Sequence, residues 1–296
     1  MADFDRTRTQ FLIDALKPAR RTRVVDVGAN PINDCPYKPL LDMGGCEVFG
    51  FEPQPEAFDA VQAKAGPNET YLPYAIGDGQ THTLYMTQNS GFASLLEPDP
   101  KANAFLGKFW RGVKVMEEVA IETKRIDDIA ELPEFDLLKI DIQGGEQMVF
   151  DNARRKLAGA VCVISEVAAV PLYKDQPLLD AQMATLRAQG FHLHRFMFFK
   201  QVRLNNRLST RTETRGNRSQ LLDGDAVFVR GMMEFDQMPD EQLKHLIILA
   251  DAMFGSHDLA MEAMIHLIDR GIVDETVGDT YVGFINGDLP AKEAAQ

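Results

Sequence analysis

A chain of 296 residues, with 45% hydrophobic and 25% charged side chains, can bury one large core and does not have the composition of a disordered protein. No apolar run of about 18 residues occurs, so no membrane span is expected, and the mixed-charge N-terminus lacks the apolar core of a secretion signal. The net charge of −13 sits mainly in residues 233–296, which carry 13 acidic and 3 basic side chains; the rest offers no basic face for general nucleic-acid binding.

After an N-terminal helix, the β-branched run at 23–28 predicts a buried strand that stops at Gly28. A second strand is predicted at 46–52, then a helix at 56–64 halted by Gly66-Pro67, then a third strand at 70–76 containing Pro73. Residues 80–86 and 113–122 alternate in polarity and predict added antiparallel strands. Core strands follow at 135–141 and 160–166, with a helix at 146–157 between them. A helix at 178–189 is closed by Gly190, and 191–199 with 225–230 predict a late antiparallel pair. This alternation predicts an α/β fold: a mostly parallel twisted sheet with helices on both faces and an antiparallel last strand.

From 240 to 270 the apolar period becomes helical, predicting a C-terminal helical hairpin turned at 254–258 with Ser256 as a cap. Residues 285–296 are expected to fray. The chain is thus divided into a main domain at 1–232 and an acidic helical extension at 233–296. The extension is too small for its own core, and docking on the main domain or in a homodimer both account for its apolar faces. Cys35, Cys46 and Cys162 are odd in number and widely spread, which predicts reduced thiols in a cytoplasmic protein and no metal site.

Two segments carry chemistry. Asp26-Val27-Gly28-Ala29-Asn30 ends the first strand, where open α/β sheets bind ligands and where glycine admits a close backbone approach. Glu52 ends the next strand and can accept ribose hydroxyls of an adenosine cofactor. A dinucleotide site calls for three glycines, whereas Gly28-Ala29-Asn30-Pro31-Ile32-Asn33 has one, which favours an adenosine cofactor without phosphate. The second segment, Lys139 to Glu146, places Asp141 toward the same crevice, with Lys139 sharing its face if the strand is regular. Asp141 also reads as an ordinary helix cap.

These segments occur with Phe51-Glu52-Pro53, Ala75 to Asp78, Ser90 to Leu95, Arg125 to Asp128 and Ser165-Glu166-Val167 in the order seen in the FkbM methyltransferases, and the chain resembles that family over about residues 22–230. The resemblance implies a class I methyltransferase-like fold and S-adenosylmethionine (SAM) as cofactor, with O-methylation of a sugar, glycan or natural-product hydroxyl. It implies that Asp26, Gly28 and Asn30 frame the methionine part, that Glu52, beside Pro53, takes the ribose, and that Ala75 to Asp78 border the adenine. Ser94 would lie near the cofactor, and Asp141 would lie at the cofactor–acceptor junction beside Gln143. Two positions depart from the family pattern: Pro31-Ile32-Asn33 where a glycine is usual, and Gln143 where glutamate is usual.

A hydroxyl acceptor must lose its proton during transfer, and the candidate bases are Asp141, Glu166 and His194, in that order. Arg207, Arg211 and Arg215 recur in a segment between the last two strands and predict an acceptor bearing an anionic group, or pairing with the acidic tail. Two other readings compete: a catalytically degenerate SAM-binding or scaffold protein, and an NAD-linked Rossmann enzyme.

Overall fold

Alternate residues of the central strands face two different cores. β1 (Thr22–Val27) sends Val24 into one apolar cluster and Val25 and Val27 into another. In the same way, β7 (Leu137–Ile140) divides Leu137 from Leu138. Burial on both faces is why these strands read as unbroken apolar runs. The computed structural model describes residues 4–29, 35–107, 112–211 and 218–288.

The main sheet also contains β2 (Cys46–Phe51), β3 (Glu69–Leu72), β8 (Cys162–Ala168), β9 (Phe191–Val202) and β10 (Gln220–Arg230). Its strand order is β3-β2-β1-β7-β8-β10-β9. The strands from β3 through β8 are parallel, and β10 is antiparallel to both β8 and β9. A small second sheet, in the order β4-β6-β5, joins β4 (Ala75–Ile76), β5 (Thr81–Thr87) and β6 (Val115–Lys124). The strand predicted at 70–76 is therefore two strands in two sheets. Pro73 lies between them, where its missing N–H interrupts no ladder.

Helices α1 (Arg6–Leu16) and α2 (Lys38–Asp42) cover one face of the sheet, with Leu12, Leu16 and Leu40 fully buried. Asp5 caps α1 by accepting from the Thr7 and Arg8 N–H groups at 2.8 and 3.0 Å. Helix α3 (Pro55–Lys64) joins β2 to β3, and α4 (Pro100–Leu106) packs Leu106 with Leu172 and Tyr173 in a third, small cluster. The opposite face is covered by α5 (Glu146–Asp151), α6 (Arg154–Leu157) and α7 (Leu179–Arg187).

One helix was predicted where α5 and α6 are two. The break creates a fresh helix start, and the Asp127 carboxylate satisfies it by accepting from the Arg155 and Lys156 N–H groups at 2.9 and 2.8 Å. Gly190 follows α7 with φ +86°, as its predicted closing role requires.

The C-terminal segment also departs from the predicted hairpin. It forms three helices: α8 (Asp240–Leu249), running into a π-helical turn at Ala250–Phe254, then α9 (His257–Asp269) and α10 (Glu275–Asn286). Their apolar faces are buried within the cluster that contains Val24, Val48 and Val227 of the main sheet, so docking within the chain covers them. Ser256 stands at the start of α9 but makes no side-chain cap; its hydroxyl bonds His194 and Asp258 instead. No helix among the described residues is long and apolar enough to cross a membrane.

A buried polar knot ties this segment to the N-terminus. Asp251, fully buried in the π-helical turn, accepts from Arg8 Nε at 2.6 Å, Thr9 Oγ1 at 2.8 Å and the Tyr281 hydroxyl at 3.0 Å. Removing one partner of a buried ion pair leaves an uncompensated charge. Asp251→Ala is therefore expected to lower unfolding stability by about 3 kcal/mol, measured by urea denaturation.

Candidate active site

Strand register brings the functional side chains into one row. Val27 of β1 is level with Phe51 of β2 and Ile140 of β7, so the residues that follow them, Gly28, Glu52 and Asp141, stand side by side. Farther along, Glu166 of β8 faces Asp225 of β10, which in turn faces Phe198 of β9. The row runs Glu52, Gly28, Asp141, Glu166, Asp225, Phe198 across six strands. Strand order reverses between β1 and β7, the place where open α/β sheets leave a crevice. A cavity of about 540 Å³ lies there and is lined by all six. That volume is in the range of small-molecule and cofactor sites.

Gly28 has to be glycine. Its φ is +85°, and a Cβ there would stand 2.2 Å from the Asp141 carbonyl oxygen. The turn after β1 can therefore press against the end of β7 only without a side chain.

Glu52 is 3% exposed; its Oε1 accepts from the Gln54 N–H at 2.8 Å, and Oε2 has no hydrogen-bond partner among the described residues. Burial pushes its carboxyl above the usual range; the Gln54 N–H opposes this, and the nearby Asp26 carboxylate adds to it. Pro53, Ala75 and Ser94 also line the cavity, as do Tyr74, Leu84 and Ile121. The Ser94 hydroxyl donates to the Gln143 carbonyl at 2.7 Å and accepts from the Leu96 N–H at 2.9 Å.

Asp141, Gln143 and Glu166 meet at the centre of the row. Gln143 Nε2 donates to Asp141 Oδ1 at 2.8 Å and to Glu166 Oε2 at 2.9 Å. Burial, followed by the Asp141, Glu146 and Asp223 carboxylates, pushes Glu166 well above the usual range. Glu146 accepts from the Ile142 and Gly144 N–H groups, and burial pushes it up to about 7. Asp141 makes no helix cap: α5 begins after Gly145, without a side-chain cap.

Several expected site residues are placed elsewhere. Asp26 is fully buried beneath the cavity, with Oδ1 3.1 Å from Lys139 Nζ and Oδ2 accepting from the Tyr37 hydroxyl at 2.6 Å. Burial lowers the Lys139 pKa, but the Asp26 and Asp141 carboxylates together hold it above the ordinary lysine value. Asp78 is outside the cavity lining, and its carboxylate is taken by His82, Thr123 and the Gln80 N–H. His194 lies back along β9 under α9, with Nε2 2.6 Å from Ser256 Oγ, because the strand enters the cavity only at Phe198 and Lys200. Arg207 and Arg211 are exposed and do not line the cavity. Asn30 and Arg215 fall outside the described residues, as do Pro31, Ile32 and Asn33.

Lys200, Asp223 and Asp225 were not anticipated. Lys200 Nζ is 2.7 Å from Asp223 Oδ1. The signal was present in Asp223-Gly224-Asp225, two acids at i and i+2 on an otherwise apolar strand. Because β10 runs antiparallel to β8, its beginning falls at the ligand edge.

The model of the "Methyltransferase FkbM domain" family matches residues 26–193, more than half of the chain. The chain belongs to the FkbM methyltransferase family. No curated protein gives a significant match.

Among solved structures, magnesium protoporphyrin IX methyltransferase from Synechocystis PCC 6803, with bound SAM, is similar at 12% identity and a TM-score of 0.36, over 76% of this chain and 80% of its own. Precorrin-6y C5,15-methyltransferase from Geobacter metallireducens GS-15 is similar at 11% identity and 0.35, over 75% and 87%. Burkholderia thailandensis 1,6-didemethyltoxoflavin-N1-methyltransferase, with bound 1,6-didemethyltoxoflavin and S-adenosylhomocysteine, is similar at 11% and 0.35, over 76% and 77%. At these TM-scores the likenesses add no argument to the fold and the family.

Asp225 supplies a test of the acidic wall. Burial and the Asp141 carboxylate push it up to about 6, against the opposing pull of Lys139. Between about pH 4 and pH 6 the folded chain therefore binds more protons than the unfolded chain, and this group's contribution to stability falls as pH rises. Asp225→Asn is expected to be about 2 kcal/mol more stable than the parent at pH 8, an advantage that vanishes below pH 4 in denaturation curves.

Proposed function

We propose that the protein transfers the methyl group of SAM to a hydroxyl oxygen of a small-molecule or glycan acceptor, with Asp141 as the base. The observation that carries this reading is the position of Asp141 in the row, between Glu52 and Gly28 on one side and Glu166 and Asp225 on the other. A carboxylate there can face both the donor and the acceptor.

The residues present suit the cofactor. Glu52 Oε2 is uncommitted in a buried, cavity-lining position, which fits a ribose hydroxyl. Tyr74, Ala75, Ile76, Leu84 and Ile121 line the cavity with largely apolar side chains, which suit an adenine. Gly28 lines the cavity beside Asp141, a place that suits the methionine part. When bound, SAM supplies an electrophilic methyl group on a cationic sulfur.

The protein's own work is alignment and proton removal. As the acceptor oxygen took the methyl group from bound SAM, Asp141 would take up the hydroxyl proton. Phe198, Asp225 and Lys200 border the acceptor end. Carboxylates outnumber cations on that wall, so the anionic acceptor group suggested by the arginines finds no support in it. Cys35, Cys46 and Cys162 form no disulfide among the described residues, which fits a reducing, cytoplasmic setting.

Asp141→Asn is expected to lower kcat by a factor of about 10² to 10⁴ with little change in the KM for SAM. The assay is transfer of a labelled methyl group to a panel of hydroxylated acceptors, with the modified atom identified by NMR. Transfer confined to nitrogen or carbon would contradict the hydroxyl assignment.

A further inference from the structure

Gln143 stands between β7 and α5 with φ +59°, a left-handed backbone that costs energy for a residue other than glycine. Hydrogen bonds hold it there. Besides the two that its Nε2 donates to Asp141 and Glu166, its Oε1 lies 3.0 Å from the Tyr173 hydroxyl, and its carbonyl accepts from Ser94. One side-chain nitrogen thus bridges carboxylates from two neighbouring strands. An amide can donate to both, whereas a carboxylate at this position would add a third negative charge.

Two carboxylates drawn to one half-buried nitrogen repel unless one is protonated. The charges around them relieve this only in part, through the attraction between Lys139 and Asp141. Lys139 on β7 pairs with Asp26, and Lys200 on β9 pairs with Asp223. Asp223 and Asp225 on β10 and Glu146 at the head of α5 add negative charge when ionised, and Tyr173 is neutral, its hydroxyl pushed up by burial and these acids. No cation forms an ion pair with Asp141 or Glu166 among the described residues.

We propose that Gln143 is a positioning residue that binds Asp141 and Glu166 into a pair sharing one proton, with Glu166 protonated and Asp141 left as the base. This rests on the methyl-transfer reading for its catalytic meaning, but the proton itself can be observed without cofactor or acceptor.

The test is infrared spectroscopy of the full-length protein, following the protonated-carboxyl C=O band through a pH titration. The expected result is a band at pH 7 that Glu166→Gln abolishes. Asp141→Asn removes the neighbouring negative charge and is expected to lower the band's titration midpoint by about one pH unit or more. In a Gln143→Leu background the same substitution is expected to shift the midpoint by less than half as much. Gln143→Asn is the second variant: asparagine tolerates the left-handed backbone, yet its shorter arm cannot reach both carboxylates. It is expected to weaken the coupling likewise, and it replaces Gln143→Leu if that variant does not fold.

Absence of the band at pH 7, or an Asp141→Asn shift of equal size in both backgrounds, overturns the proposal. Intact coupling in a protein that neither binds SAM nor transfers methyl overturns the functional reading and leaves the clamp standing.

Discussion

The ligand edge depends on one buried ion pair between neighbouring strands. Asp26 of β1 and Lys139 of β7 are level in register and 3.1 Å apart, on the face that holds Val24 and Leu137. Removing two charges from water is costly, and such a pair is tolerated only where geometry and further hydrogen bonds satisfy both partners. The Tyr37 hydroxyl, at 2.6 Å, supplies part of that for Asp26. The pair clamps together the two strands between which the strand order reverses. Just beyond it, Gly28 passes so close to Asp141 that no side chain fits between them.

The clamp gives a physical division of labour. Lys139 lines the cavity and neutralises Asp26 beneath it, while Asp141, two residues farther along the same strand face, stands in the cavity. Charge rises toward the acceptor end, where Glu166 and Asp225 are level across strands and, among the described residues, the neighbouring Lys139 and Lys200 pair with Asp26 and Asp223 instead. Burial and mutual repulsion raise both carboxyls, Glu166 well above the usual range and Asp225 to about 6. In the proposed reaction, a base beside a protonated Glu166 suits an acceptor hydroxyl.

Much of this was legible in the sequence. The strands at 23–28, 46–52, 135–141 and 160–166 stood out because burial on both faces writes an apolar run. Gly28 and Glu52 stood out because they end such runs where ligands bind. Other features depend on long-range pairing that local pattern does not encode. Asp26 sits in the same motif as Gly28 and on the same strand face, yet it lies short of the strand end, where Lys139 and Tyr37 take its carboxylate. His194 belongs to a strand that reaches the cavity only at its far end, and a residue's distance along a strand cannot be read without the register. The split between α5 and α6 follows from Asp127, 28 residues before Arg155, supplying the new helix start. The third C-terminal helix, α10, is held by Tyr281 against Asp251, a contact between residues 30 apart.

The account rests most heavily on Glu52 holding the ribose in the crevice beside Gly28. Calorimetric titration of the purified protein with SAM, alongside Glu52→Ala, tests it most directly. The account predicts binding by the parent chain and a loss of at least about tenfold in affinity in the variant, as removal of a hydrogen-bonded carboxylate partner implies. Equal affinity in a folded Glu52→Ala protein would contradict the placement of the cofactor in this crevice.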